Sequence, residues 1–178
     1  MARNVEIKAR IEGIEALAPR AAAVANSGPI QIDQDDTFFR CESGRLKLRA
    51  FSDESGELIF YRRANQSGPK ESFYLRSPTS EPNVLRESLT LAYGQVGRVR
   101  KHRTLYIAGR TRIHLDRVEG LGDFLELEVV MADGEDGERG LSEAHALMES
   151  LAVKASQLIE VAYVDLLAQQ ACGDPVSR

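Results

Sequence analysis

Arg112–Met131 reads RIHLDRVEGLGDFLELEVVM, and its alternation decides the fold. Val118-Glu119-Gly120-Leu121-Gly122-Asp123 carries two glycines and breaks the pattern, so the chain is expected to reverse there. After the break, Leu125, Leu127 and Val129 share one face, and Phe124, Glu126 and Glu128 share the other. Before it, Arg112, His114 and Asp116 lie opposite Ile113 and Leu115. A hairpin would therefore gather Arg112, His114, Asp116, Glu126 and Glu128 in one small area. Two readings fit that patch. One is a site for a divalent metal on oxygen ligands. The other is a solvated sheet face with cross-strand ion pairs.

Similar alternation recurs outward from this hairpin. Val5, Ile7 and Ala9 stand opposite Asn4, Glu6, Lys8 and Arg10. Arg45, Lys47 and Arg49 in RLKLRAF stand opposite Leu46, Leu48 and Ala50. Three cations spaced ~7 Å apart repel one another, and either a bound polyanion or acids on neighbouring strands would relieve that. Arg98–Ile107 is a basic strand in which Lys101 and Arg103 share a face. Eight strands are expected, at about 4–11, 30–41, 45–51, 57–63, 70–77, 98–107, 110–118 and 123–132. Most links between them are short, which favours antiparallel hairpins.

Helices are expected over 12–25, with Pro19 inside, and from Glu81-Pro82 to Tyr93, closed by Gly94. Two more follow, Leu141–Leu151 capped by Ser142 and Leu158–Gln170, with 132–140 as an acidic connector. The fold class is α+β, an eight-stranded antiparallel β-barrel with flanking helices. Residues 1–172 read as a single domain and 173–178 as a flexible tail.

In a closed barrel the polar faces would point inward, bringing together Glu6, Lys8, Lys47, Arg49, Arg63, Lys101, Arg103, Arg112, Asp116, Glu126 and Glu128. Buried charge of both signs is costly without partners. Cations beside carboxylate-held metal ions are what a polyphosphate requires.

Net charge is -4 over 178 residues, which argues against a general nucleic-acid or membrane-surface binder. No apolar run spans a bilayer. Met1-Ala2-Arg3-Asn4 leads straight into a charged strand, so no signal peptide is expected. Cys41 and Cys172 read as reduced thiols in a cytoplasmic setting.

From Asn4 to Leu167 the chain resembles the CYTH superfamily, the triphosphate tunnel enzymes. Glu6-Ile7-Lys8 is similar to the end of the E-x-E-x-K signature, with Asn4 standing where the first Glu belongs. Gln34-Asp35-Asp36-Thr37-Phe38-Phe39, then Gly44-Arg45-Leu46-Lys47-Leu48-Arg49, resembles the Q-x-D-x-Y-F…G-x-L-K-L-R block, with Phe38 in place of Tyr. Lys101-His102-Arg103 resembles the K-x-R strand. Leu115-Asp116 and Leu121–Glu128 resemble the LD…LGDF-x-E-x-E block. Ala162–Leu167 resembles the closing S-Y-x-D-L-L helix.

The resemblance implies a tunnel that holds a triphosphate with one or two divalent ions, Mg²⁺ or Mn²⁺. Lys8, Lys47, Arg49, Arg63, Lys70, Lys101, Arg103 and Arg112 would bind phosphate. Glu6, Asp116, Glu126 and Glu128 would hold metal. Glu6, Lys8, Arg49, Lys101 and Arg103 are the catalytic candidates. Class IV adenylyl cyclase chemistry, ATP to cyclic AMP and pyrophosphate, leads. Hydrolysis of tripolyphosphate or thiamine triphosphate follows, and then binding without turnover. No nucleic-acid or membrane partner is expected, and a homodimer is left open.

Overall fold

The computed structural model describes residues 2–63 and 70–173, without the side chains of 2, 63 and 70–72. The expected loop 64–69 and most of the expected tail therefore lie outside the described residues. Strands run Ala2–Arg10 (β1), Ser27–Phe39 (β2), Arg45–Ser52 (β3), Ser55–Arg63 (β4), Lys70–Thr79 (β5), Gln95–Ala108 (β6), Thr111–Val118 (β7) and Gly122–Met131 (β8). Helices run Ile14–Val24 (α1), Pro82–Tyr93 (α2), Gly137–Ser150 (α3) and Tyr163–Gly173 (α4). Every strand pairing is antiparallel, in the order β1-β5-β4-β3-β2-β6-β7-β8. The ring closes where β1 meets β8, from Arg3↔Met131 to Arg10↔Phe124. The expected eight-stranded antiparallel barrel is what forms.

The apolar core lies outside the ring. Val5, Ile7 and Ala9 of β1, Ile113 and Leu115 of β7, and Leu125, Leu127 and Val129 of β8 are buried facing outward. Leu17 and Ala21 of α1, with Ala144 and Met148 of α3, cover them. Because the side-chain period of a strand is two, burying the odd-numbered residues under helices sends the even-numbered polar residues inward. Closure also leaves no open sheet edge among the described strands.

A second apolar cluster, Phe38, Val99, Val118, Phe124, Tyr163 and Val164, plugs one end of the interior. α4 reaches this plug over Gly97, where an added Cβ would run into the Val164 side chain. Gly97→Ala is therefore expected to lower stability by about 1–3 kcal/mol through overpacking. Denaturant unfolding checks this, and an unchanged midpoint would mean that α4 does not press on β6.

Two expected helices move. α3 starts at Gly137, not Leu141, and its cap is Asp136, whose side chain accepts a hydrogen bond from the Glu138 backbone N–H. Ser142 sits inside the helix. The last helix starts at Tyr163, not Leu158. Leu158 instead bridges Ala9, and the Ile159 N–H donates to the Lys8 carbonyl at 3.0 Å. Tertiary pairing to β1 overrides the helical periodicity of 158–162, and places Tyr163 under the tunnel floor. No described helix is long and apolar enough to cross a membrane.

Candidate functional site

The barrel encloses a cavity of about 330 Å³. Alternate residues line it: Asn4, Glu6 and Lys8 from β1, Gln34 and Asp36 from β2, Lys47 and Arg49 from β3. Lys101 and Arg103 from β6, Arg112 and His114 from β7, and Glu126 and Glu128 from β8 complete the polar wall. The structure thus brings together Glu6, Lys8, Lys47, Arg49, Lys101, Arg103, Arg112, Glu126 and Glu128, as the alternation implied. Arg63 and Lys70 belong to β4 and β5, but their side chains lie outside the described residues.

The cations are held by acids. Asp36 accepts Lys47 Nζ at 2.7 Å and Arg49 Nε and Nη2 at 2.7 Å each. Arg45 is taken instead by Asp165 of α4. The repulsion expected along RLKLR is thus met by acids on neighbouring elements, without a ligand. Arg103 donates to both oxygens of Asp116 at 2.6 Å and to Glu126 Oε2 at 2.7 Å. Tyr163 donates its hydroxyl to Asp116 at 3.1 Å, and Lys101 lies 3.3 Å from the same carboxylate. Lys8 sits 3.3 Å from Glu126 and 4.0 Å from the centre of the Tyr163 ring. Arg112 Nε donates to Glu128 Oε2 at 2.9 Å.

These contacts shift the ionisations. Burial raises the Asp116 carboxyl, but Arg103 and Lys101 outweigh burial and bring it to about 2. Glu128 follows the same pattern, with His114, Arg112 and Arg103 opposing burial, and also reaches about 2. Glu126 is held well below the usual range by Lys8 and Lys101 against burial. Burial and the neighbouring Arg49 bring the Lys47 ammonium down to about 7, although Asp36 opposes them. Burial, then Arg103, lowers His114, while Glu128 pulls it up. His114 Nδ1 stands 3.9 Å from both carboxylates, too far for a charged hydrogen bond.

Three groups expected as metal ligands remain candidates by placement. Glu6 and Glu128 are direct cross-strand partners lining the same cavity, so their carboxylates face one space. Glu126 and Glu128, with His114, offer ligand atoms that all lie within 4.8 Å of one another. These donors fit a divalent ion. Asp116 differs in place: it is fully buried, is not among the residues lining the cavity, and gives both its oxygens to Arg103, so it braces that cation from behind.

Asp36, Asp165 and Tyr163 are the site residues that periodicity alone does not single out. The structure sets Asp36 directly opposite Arg49 across β2 and β3, a register that the alternation does not give. Among the described residues, three buried atoms have no hydrogen-bond partner: Asn4 Oδ1, Gln34 Oε1 and His114 Nδ1.

The fold and its interior define a class, a closed β-tunnel lined by paired cations and carboxylates. Residues 2–163 match the CYTH domain model, and the chain belongs to the CYTH domain family. It is 26% identical over 138 residues to adenylate cyclase CyaB of Aeromonas hydrophila, covering 73% of this chain and 70% of that protein. Among solved structures it resembles PH1012 of Pyrococcus horikoshii, with a TM-score of 0.82 and 23% identity, over 92% of this chain and 98% of that one. A Hippeastrum adenylyl cyclase homologue, described as having a dominant triphosphatase activity, matches at a TM-score of 0.68 and 14% identity, over 96% of each chain.

Proposed function

We propose that the tunnel binds an organic triphosphate and carries out divalent-metal-dependent chemistry on it, with cyclisation of ATP to cyclic AMP and pyrophosphate as the leading reaction. The observation that carries this reading is the convergence of six cations and a three-donor cluster in one closed lumen. Lys8, Lys47, Arg49, Lys101, Arg103 and Arg112 supply the charge that phosphate oxygens need, already oriented by Asp36, Asp116, Glu126 and Glu128. Orientation before binding removes part of the reorganisation that a flexible clamp would require. Bound Mg²⁺ or Mn²⁺, held by Glu126, Glu128 and Glu6, would supply Lewis-acid stabilisation of phosphate charge.

In cyclisation the ribose 3′ oxygen bonds to the α-phosphorus, the bond to pyrophosphate breaks, and the hydroxyl proton must be accepted. Glu6, in the lumen opposite Glu128, is the acceptor in this reading. Ile32, Phe51 and Leu105, at the end away from the Tyr163 plug, offer apolar surface to the organic part of the substrate. Tripolyphosphate would leave that surface unused.

Hydrolysis of a triphosphate is the second reading, supported by the description of the Hippeastrum protein and by a clamp that would serve either reaction. Incubation with ATP, tripolyphosphate and thiamine triphosphate, under Mg²⁺ and under Mn²⁺, separates the readings. Cyclic AMP and pyrophosphate in equal amounts are expected from ATP. Orthophosphate from any of the three would select hydrolysis, and no turnover would leave a binding protein.

Lys47 supplies a further check on binding. Burial and Arg49 bring its ammonium down to about 7 without ligand, so it gives up part of its charge as pH rises past that value, and a triphosphate beside it favours the charged form. Binding at pH 8 should therefore take up protons and weaken as pH rises above 7. Calorimetry in two buffers of different ionisation enthalpy reads this. Binding heats that do not depend on the buffer would contradict it.

A further inference from the structure

We infer that His114 is a nitrogen ligand of the tunnel's divalent ion and biases the site toward Mn²⁺ and later first-row ions over Mg²⁺. This rests on the metal-dependent reading above and adds to it the donor that sets metal choice. His114 is 3% exposed, and its Nδ1 has no hydrogen-bond partner among the described residues. A buried polar nitrogen left without a partner is uncommon and calls for an explanation.

Its neighbours narrow the explanation. On β8, Glu126 is its direct cross-strand partner, and Glu128 Oε1 and Glu126 Oε2 each lie 3.9 Å from Nδ1. Direct hydrogen bonds would close to about 2.7–3.2 Å, so ring and carboxylates stand apart instead of bonding. The other oxygen of Glu128 is held by Arg112; Glu126 has Oε1 beside Lys8, and the Oε2 that faces the imidazole also accepts from Arg103 at 2.7 Å, so an ion here would share that oxygen with Arg103. Those contacts fix both carboxylates while leaving a gap toward the imidazole. One nitrogen and two carboxylate oxygens, all within 4.8 Å, face that gap.

The donor set has a consequence for selectivity. Mg²⁺ favours six oxygen ligands in a regular octahedron and gives up its waters reluctantly. Imidazole suits transition metals, whose affinity rises from Mn²⁺ toward Cu²⁺. A site of one imidazole and two carboxylates therefore favours Mn²⁺ more than carboxylates alone would.

Electron spin-echo envelope spectroscopy of Mn²⁺ bound to the untagged protein tests this without turnover. The chain has three histidines. Of the others, His102 is on the outer wall, bonded to Asp33 and Gln31, and His145 is exposed on α3. The wild type should show nitrogen-14 modulation from a bound imidazole. His114→Gln should lose that modulation and bind Mn²⁺ about 10–100-fold more weakly, with a much smaller change for Mg²⁺. His114→Asn serves as a second variant should the first not fold. Mn²⁺ bound without nitrogen modulation in the wild type would overturn the inference and leave the metal-dependent reading standing. No Mn²⁺ binding at all by the wild type would overturn both.

Discussion

Replacing Arg103 with methionine should destabilise the protein by about 3–5 kcal/mol, the range for removing one partner of a buried ion pair. Arg103 is 4% exposed and holds Asp116 through two bonds and Glu126 through one. Without it, Asp116 keeps, among the described residues, the Tyr163 hydroxyl and the more distant Lys101. The carboxylate would remain in a place that water does not reach, with its charge poorly compensated. Arg103→Lys restores charge but not the two-pronged geometry, so it should recover only part of the loss. Denaturant unfolding of both variants reads the effect. A loss under 1 kcal/mol for Arg103→Met would show that the Asp116 cluster is not a stabilising element of the barrel.

Acid should dismantle the same wall, and the sign follows from the carboxyls. Asp116 falls from an ordinary 3.8 to about 2, and Glu128 from 4.5 to about 2. A carboxyl with a depressed folded value adds stability that is complete above its unfolded value. That stability is lost as pH falls through the folded value. The window here runs from about pH 4.5 down to about pH 2. At 1.36 kcal/mol per unit, Asp116 contributes on the order of 2 kcal/mol across it and Glu128 on the order of 3. Carboxyl-carbon NMR should find Asp116 and Glu128 still ionised at pH 3 while exposed acids have titrated. Titration of both near pH 4 would contradict the paired geometry.

The barrel was legible because strand periodicity survives closure. The alternations of Val5/Ile7/Ala9 and of Leu125/Leu127/Val129 required a buried outer face, so the inward placement of Glu6, Lys8, Glu126 and Glu128 followed. The glycine-marked break of 118–123 fixed the β7–β8 hairpin for the same local reason. What stayed hidden depends on contacts between residues distant in sequence. Leu158 and Ile159 carry a helical pattern, yet hydrogen bonding to β1 draws them into extended chain. Asp136 outcompetes Ser142 as a cap because the acidic connector itself supplies the first turn. Asp116 looks like a ligand in sequence, and only its two bonds to Arg103 show that its oxygens are taken. His114 shares the face of Arg112 and Asp116, but its unpartnered nitrogen is visible only in three dimensions.

Asn4 marks this chain's departure from the signature it otherwise resembles. It is 2% exposed, lines the lumen two residues before Glu6, and keeps an unpartnered amide oxygen. An amide oxygen can contact a cation or a donor group of a substrate but brings no charge.

If this lumen is a triphosphate site, calorimetric titration of the metal-free protein with ATP should detect the ligand in it. Saturable one-to-one binding is expected. Lys47→Gln, which can still donate to Asp36, should weaken it by about 1.5–3 kcal/mol, or roughly 10–150-fold. Absence of ATP binding at low salt, or binding that Lys47→Gln leaves unchanged, would contradict a triphosphate site here.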